Sequence, residues 1–513
     1  MDISRSALRA ISAAFVAVAL LLAGCTSGAA SPRTPSPTKA ASRAALAAYY
    51  EQKLNWHECR GGAGFECATL KAPLDYARPD DGHDLKLAVS RKKAGGPGKR
   101  LGSLMVNPGG PGGSAIDYLQ SYAGIGYPAR VRARYDLVAM DPRGVAASEP
   151  ITCLGDKQMD AFTQTDQTPD APAETRSLVA SYQKFARGCA ARSGEILGHV
   201  STVEAARDMD LLREVLGDRK LTYVGASYGT FLGATYADLF PRRVGRLVLD
   251  GALDPALTSE QINRDQTAGF ETAFTAFAKD CVRRASCPLG TRDVAQARER
   301  LAAFFTRLDT HPVPTGESRR LGESLATTGV LAALYDEGAW PQLRTALRSA
   351  MRGDGSGLLT LADLYYERDG DGSYANLMYA NPAVNCLDLP PAFHTPADVR
   401  KSLPAFQKAS PVFGKALAWS ALNCAYWPVH PTGTPHPLHA KGAAPIVVVG
   451  TTRDPATPYT WARSLASQLT SATLLTYNGD GHTAYGRGST CIDTAIDTYL
   501  LTGTPPPSGK RCT

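Results

Sequence analysis

The chain has 513 residues, of which 44% are apolar and 20% charged, proportions of a globular protein that exclude disorder along its whole length. It is too long for one minimal core and leaves room for one large domain with an insertion, or for two to three domains. Its net charge of +7 is small for this size, and the one basic stretch, RKKAGGPGKR from Arg91, has no interleaved aromatics; it reads as a solvated turn, and nucleic acid is not an expected partner.

The N-terminus differs from the rest. Arg5 and Arg9 precede an uncharged run from Ala10 to Gly24, shorter than the roughly 20 residues a spanning helix needs. Residues 1–24 therefore read as a cleaved signal peptide and the protein as exported, with a net charge of +6 once Asp2, Arg5 and Arg9 are gone. Leu22-Ala23-Gly24-Cys25 resembles the lipobox of bacterial lipoproteins, which makes Cys25 the expected lipidation site and the membrane a partner through that anchor alone. An ordinary signal cut at Ala23 or at Ala29-Ala30 is the alternative. The stretch TSGAASPRTPSPTKAAS cannot build a core, so residues 25–44 are expected to be a flexible linker.

From residue 45 on, apolar runs ending in glycine-rich turns recur: LGSLMVNPGG from Leu101, YDLVAMDPRG from Tyr135, LTYVGASYG from Leu221, VGRLVLDG from Val244, APIVVVG from Ala444 and ATLLTYNGDGH from Ala472. Continuous rather than alternating apolar character predicts strands buried on both faces. Between two of them TVEAARDMDLLREVLG has a helical period, with Ser201-Thr202 at its start and Gly217 at its end. Strand and helix alternate, which predicts an α/β fold around a mostly parallel sheet. From about 255 to 440 the strand signal lapses and helical periods replace it: Ala297, Leu301, Phe304 and Leu308 behind the N-cap candidate Asp293, then Trp340, Leu343, Leu347 and Met351. The expected organisation is a core in two parts, 45–254 and 441–513, with a mostly helical cap at 255–440 between them.

Gly225-Ala226-Ser227-Tyr228-Gly229 stands between a strand pattern and a helix pattern. A nucleophile on so sharp a turn needs small residues two before and two after it, and the helix N-terminus behind it can stabilise an oxyanion. Ser227 is the expected nucleophile. Its hydroxyl is scarcely ionised at neutral pH and needs a base, and His482, in NGDGHTAYG just past the last strand pattern, suits that role. The imidazole needs a carboxylate. Asp454, in VVVGTTRDPATP, is favoured; Asp250 in LVLDG is its rival and Asp480 a weaker contender. For the oxyanion, NPGGPGGS from Asn107 offers Gly110, to act with Tyr228, and Gly109 as second choice.

Eleven cysteines less Cys25 leave ten, an even number for an oxidising compartment. Connectivity is not readable from sequence alone; nearest neighbours pair as Cys59/Cys67, Cys153/Cys189, Cys281/Cys287, Cys386/Cys424 and Cys491/Cys512. No CxxC or HExxH occurs, so metal is the weaker reading of these residues and no cofactor is expected.

Together NPGGPGGS, DPRG with Ser148, YVGASYGTFLGATYADLFPRRVGRLVLDG, NCLD with NCAYW, and DPATPY before GDGHTAYG resemble the secreted actinobacterial α/β-hydrolases of the tripeptidyl aminopeptidase type, related to proline iminopeptidases. The resemblance runs from about Trp56 to Cys512. It implies an α/β-hydrolase fold with a helical cap, a triad of Ser227, Asp454 and His482, and release of short peptides, here tripeptides, from substrates with a free N-terminus. Two departures stand out: Val145-Ala146-Ala147-Ser148, where the family usually has another glycine before the serine, and Ala115, where a further glycine is common. Selecting a charged amine calls for a buried carboxylate, and Asp388 in VNCLDLP is the candidate, with a helix or turn cap as its other reading. A carboxylesterase or lipase of the same fold and a non-catalytic surface-binding lipoprotein are the competing functions.

Overall fold

A computed structural model describes residues 41–96 and 98–513, which lie in one compact unit. The signal peptide at 1–24, Cys25 and residues 25–40 of the linker lie outside the described residues. The chain is tied in from Ala41, whose N–H donates to the Tyr76 carbonyl.

Ten strands form one sheet: β1 (His57–Glu58), β2 (Glu66–Pro73), β3 (Asp84–Lys92), β4 (Gly102–Asn107), β5 (Tyr135–Met140), β6 (Leu221–Ala226), β7 (Val244–Asp250), β8 (Ile446–Arg453), β9 (Ala472–Asp480) and β10 (Lys510–Cys512). Their order is β1-β2-β3-β5-β4-β6-β7-β8-β9-β10. Pairing is antiparallel from β1 through β3 to β5 and parallel from there to β10.

The six continuous apolar runs are β4 to β9. Alternate residues of these strands feed two separate clusters. Val138, Tyr223, Leu247, Leu249, Ile446 and Val448 join one, and Leu137, Val224, Val248, Val447 and Val449 join the other. A strand whose neighbours point to opposite faces has both faces covered, which is why its sequence shows no alternation. β2 and β3 do alternate, and no continuous apolar run marks them. Basic residues of the RKKAGGPGKR stretch are spent on carboxylates: Arg91 and Lys93 pair with Glu66, and Arg100 with Asp136.

The helix Thr202–Val215 starts at Ser201, whose hydroxyl accepts from the Glu204 N–H. Between β7 and β8 the chain is helical, from Ser259–Val282 to Gly414–Ser420. Asp293 caps the helix Val294–Thr310 by accepting from the Gln296 N–H. These helices enclose a cluster of their own, rich in phenylalanine (Phe270, Phe274, Phe277, Phe304, Phe305, Phe413). Five disulfides join Cys59–Cys67, Cys153–Cys189, Cys281–Cys287, Cys386–Cys424 and Cys491–Cys512, the bonds of an exported protein. No helix among the described residues is long and apolar enough to cross a membrane.

Candidate active site

Ser227 follows β6 directly and precedes the helix Tyr228–Leu239. Its backbone sits at φ 56°, ψ −126°, a conformation L-residues rarely adopt, and its N–H donates to the Asp250 carbonyl at 2.8 Å. The turn tolerates only glycine on either side. A Cβ on Gly225 would come within 2.3 Å of the Gly229 carbonyl oxygen, and one on Gly229 within 2.8 Å of the Asn107 carbonyl oxygen. Among the described residues the Ser227 hydroxyl has no hydrogen-bond partner of its own, so its proton is available to a base.

The loop after β4 meets this turn backbone to backbone. A Cβ on Gly109 would lie 2.5 Å from the Ala226 carbonyl oxygen and 2.8 Å from the Tyr228 nitrogen. Gly109 and Gly110 both have positive φ, 95° and 110°. They differ in their amides. The Gly109 N–H donates to the Asn107 side chain at 2.9 Å, whereas the Gly110 and Tyr228 N–H groups have no acceptor among the described residues. Tyr228 is the first residue of its helix, where the N–H has no intrahelical partner. Two unpaired amides beside a serine are what a developing oxyanion requires. Asp141 holds the segment after this loop by accepting from Ser114 Oγ and from the Ile116 and Ala147 amides.

His482 lies just beyond β9 with 13% of its side chain exposed. Its Nδ1 lies 2.8 and 2.9 Å from the two Asp454 oxygens, and its own N–H donates to the Tyr335 carbonyl. The Tyr335 ring stands edge-on to the imidazole at 5.5 Å. Asp454 is 2% exposed and well satisfied: the Ala456 and Thr457 amides and the Thr457 hydroxyl, each at 2.9 Å, and the Thr483 amide at 3.2 Å all donate to it. A carboxylate so held orients the ring and leaves Nε2 to take a proton.

Asp250 sits one strand away and is equally buried, but its carboxylate accepts from the Ala484 and Tyr485 amides, and burial pushes its pKa up. It moors the His482 loop to the strand that receives the Ser227 N–H. Asp480 is paired with Arg453. A cleft of about 740 Å³ opens here, lined by Pro108, Ala226, Asp250, Tyr335 and His482 and walled by Tyr118, Tyr122, Tyr127 and Tyr485.

Asp388 does not line this cleft. It ends the helix Leu377–Asp388 and is 8% exposed; Oδ1 accepts from the Thr202 N–H at 2.8 Å and Oδ2 from its hydroxyl at 2.5 Å. Thr202 Oγ1 also meets the Tyr228 hydroxyl, so the chain of contacts runs from cap to core and ends at the residue after Ser227. Burial pushes the Asp388 pKa up to about 7. Both its oxygens are engaged by an interior helix terminus, away from the cleft lining. The same cap helix covers the loop after β4 and the segment after β5: Asn381 donates to the Pro111 carbonyl, and Asn376 accepts from Ala146 N–H and donates to the Gly144 and Ile151 carbonyls. Ala146 has φ 43°, the left-handed region that favours glycine, in the segment where the family usually carries one.

Tyr335, Thr457, Asn107 and Asn376 were not legible as site residues. Thr457 and Asn107 stand inside motifs, but Tyr335 and Asn376 lie in helical regions whose sequence shows only core and surface.

Residues 410–512 match a family described as TAP-like protein. The serine protease Hip1 of Mycobacterium tuberculosis is 38% identical over 98% of this chain and 96% of its own length. Carboxylesterase B of the same organism is 39% identical over 98% of each chain. The tripeptidyl aminopeptidase of Streptomyces coelicolor is 32% identical over 90% of this chain and 86% of its own.

Proposed function

The chain belongs to the TAP-like family of α/β-hydrolases that holds these enzymes, and we propose that it is an exported serine exopeptidase releasing tripeptides from free N-termini. The observation that carries this reading is the Asp454–His482 pair moored through Asp250 to the strained Ser227 turn, beside two amides with no acceptor. Ser227 Oγ attacks the peptide carbonyl as His482 Nε2 takes its proton. The oxyanion is held by the Gly110 and Tyr228 amides. The C–N bond breaks as His482 returns the proton to the leaving amine, and water, activated by the same imidazole, releases the acyl group and restores Ser227.

The free amine needs a carboxylate that is not already engaged. Glu367 on the cap is the carboxylate we put forward for it beside Asp388. Its carboxylate has no hydrogen-bond or ion-pair partner among the described residues, and it stands exposed at the end of a cap helix, where its φ is 50°. It stands two residues after Tyr365, whose ring packs on Tyr335 against His482. Export by residues 1–24 and a lipid on Cys25 would tether the domain outside the cell, and the intact mass of the mature N-terminus tests that.

The test is hydrolysis of a tripeptide amide with a free amine, its N-acetyl twin, a single amino-acid amide and a short-chain ester, with Ser227→Ala as blank. Preference for the free tripeptide, with KM raised in Glu367→Gln, supports the reading. Equal turnover of the acetylated peptide removes the free-amine requirement, and turnover of the ester alone makes the protein the esterase that the name of one relative describes.

A further inference from the structure

The helix Leu377–Asp388 belongs by sequence to the cap, yet it packs with the core. Its buried residues Tyr379, Ala383, Val384 and Leu387 join the cluster that holds Tyr223, Tyr228 and Leu232, not the phenylalanine-rich cluster of the cap. Its far end is held twice more: Cys386 is bonded to Cys424, and the Leu387 carbonyl accepts from the Thr432 N–H at 2.7 Å. The helix is thus fixed to the core along one face and tied down at one end.

It reaches both halves of the oxyanion pair. Its first turn lies on the loop after β4. A Cβ on Gly112 would come within 3.0 Å of the Ala380 Cβ and of the Leu377 carbonyl oxygen, and one on Gly110 within 3.3 Å of the Leu377 side chain. Asn381 Nδ2 donates to the Pro111 carbonyl at 3.0 Å, one residue beyond the Gly110 amide.

At its other end Asp388 reaches the second donor through Thr202. Asp388 Oδ1 accepts from the Thr202 N–H at 2.8 Å, an amide that a helix start leaves without an intrahelical partner, and Oδ2 accepts from the Thr202 hydroxyl at 2.5 Å. That hydroxyl has one proton. With it given to Asp388, the 2.5 Å contact between Thr202 and Tyr228 has the tyrosine donating. The chain therefore has one direction, from the Tyr228 hydroxyl through the Thr202 hydroxyl to the carboxylate. Tyr228, Thr202 and Asp388 are 6%, 1% and 8% exposed, so water does not compete for these bonds, and a broken link leaves a buried polar group unsatisfied.

We propose that Asn381 and Asp388 are positioning residues for the oxyanion pair: the cap helix sets the Gly110 amide through the Pro111 carbonyl and the Tyr228 amide through Thr202. Neither side chain lines the cleft, and each acts through another residue. Preorganised donors work only where the charge develops, and a displacement of about 1 Å can cost roughly 10²-fold in rate. The strands bring the two turns together, and this helix holds their spacing from outside, so the cap completes the oxyanion pair as well as covering it. The inference rests on the acylation of Ser227 proposed above, but not on selection of a free amine.

Thr202→Val keeps the shape of the side chain and removes only the hydroxyl that joins Tyr228 to Asp388, and Thr202→Ser restores it. Asn381→Leu removes the donor to Pro111 and carries the test if Thr202→Val does not fold. The full chain is assayed on a free-amine tripeptide anilide and on a short-chain ester that has no amine, with competent sites counted by phosphonate titration of Ser227. The probe of the oxyanion pair is a peptidyl trifluoromethyl ketone, whose oxygen becomes an oxyanion when Ser227 adds to the carbonyl. Thr202→Val and Asn381→Leu are each expected to lower kcat per titrated site at least ~5-fold on both substrates with KM within about twofold, and to weaken the ketone by a similar factor; Thr202→Ser is expected to recover the activity. A folded Thr202→Val or Asn381→Leu with a smaller loss overturns the proposal, because a merely structural role lowers Tm and the titrated fraction but not kcat per site. A loss confined to the free-amine substrate overturns it too, in favour of an amine contact. A wild-type chain that turns over neither substrate removes the serine-hydrolase reading and this inference together, whereas an active wild type with unaltered variants removes this inference alone.

Discussion

Replacing Asp454 with asparagine removes the charge facing the imidazole while keeping the shape of the side chain. At 2.8 Å and an effective dielectric constant of about 20, an imidazolium and a carboxylate attract by roughly 6 kcal/mol. His482 is 13% exposed and the amide retains a polar contact, so about 4–5 kcal/mol of transition-state stabilisation should go. At about 1.4 kcal/mol per tenfold, kcat falls roughly 10³- to 10⁴-fold. KM should change little, since Asp454 is buried behind the histidine. The assay is steady-state hydrolysis of a free-amine tripeptide anilide, alongside the labelling rate of Ser227 by a phosphonate. Asp250→Asn is the comparison: it loosens the Ala484 and Tyr485 anchors and should lower Tm while costing far less in kcat. If Asp454→Asn kept more than a tenth of wild-type kcat, or if Asp250→Asn lost as much with its fold intact, Asp454 would not be the acid that orients His482.

The pH dependence of stability carries a second expectation. The Asp388 pKa is about 7 in the fold against about 3.9 unfolded, so the folded state binds more protons between pH 4 and 7 and loses stability as pH rises through that window, by at most ~4 kcal/mol. Asp388→Asn should flatten the fall in Tm from pH 5 to 8 relative to wild type, and parallel curves would show that the carboxylate does not titrate there. Gly109→Ala puts a methyl 2.5 Å from the Ala226 carbonyl at φ 95°, and a displaced turn should cost about 100-fold or more in kcat; Gly353→Ala, at φ 102° in open space, should leave turnover unchanged. Arg143 is wholly buried and donates to Asp208 and to the Pro73, Leu74 and His199 carbonyls. Arg143→Met strands the Asp208 charge and should cost about 3–5 kcal/mol in denaturant unfolding, with a loss under 1 kcal/mol arguing against it.

Residues close together in the chain were legible because their physics is local. A strand covered on both faces must be apolar throughout, so β4 to β9 announced themselves. A serine displayed on a sharp turn needs Gly225 and Gly229, and the short loops ending at Asp454 and His482 follow their strands directly. Helix starts at Ser201 and Asp293 are likewise written in a few residues, since a cap is a contact between a side chain and an amide three positions on. β2 and β3 were less legible because they alternate, and β10 is three residues long.

Choices between chemically equivalent groups were made by packing. Asp454 and Asp250 are both buried aspartates at the end of a strand, and nothing along the chain says which one meets Nδ1. Gly109 and Gly110 are neighbours, and only the position of the Asn107 side chain leaves one amide unpaired. Asp388 sits two residues after Cys386 in a suggestive motif, yet the register of its helix against Thr202 engages both its oxygens at an interior helix terminus. The carboxylates Asp166, Asp309 and Glu323 are far apart in the chain and carry no motif, and they meet only when three separate segments fold together. Sequence by itself determined which residues could react, because reactivity is a property of residue type and local turn. Tertiary structure decided which of them have partners, because hydrogen bonds and charges are satisfied across space rather than along the chain.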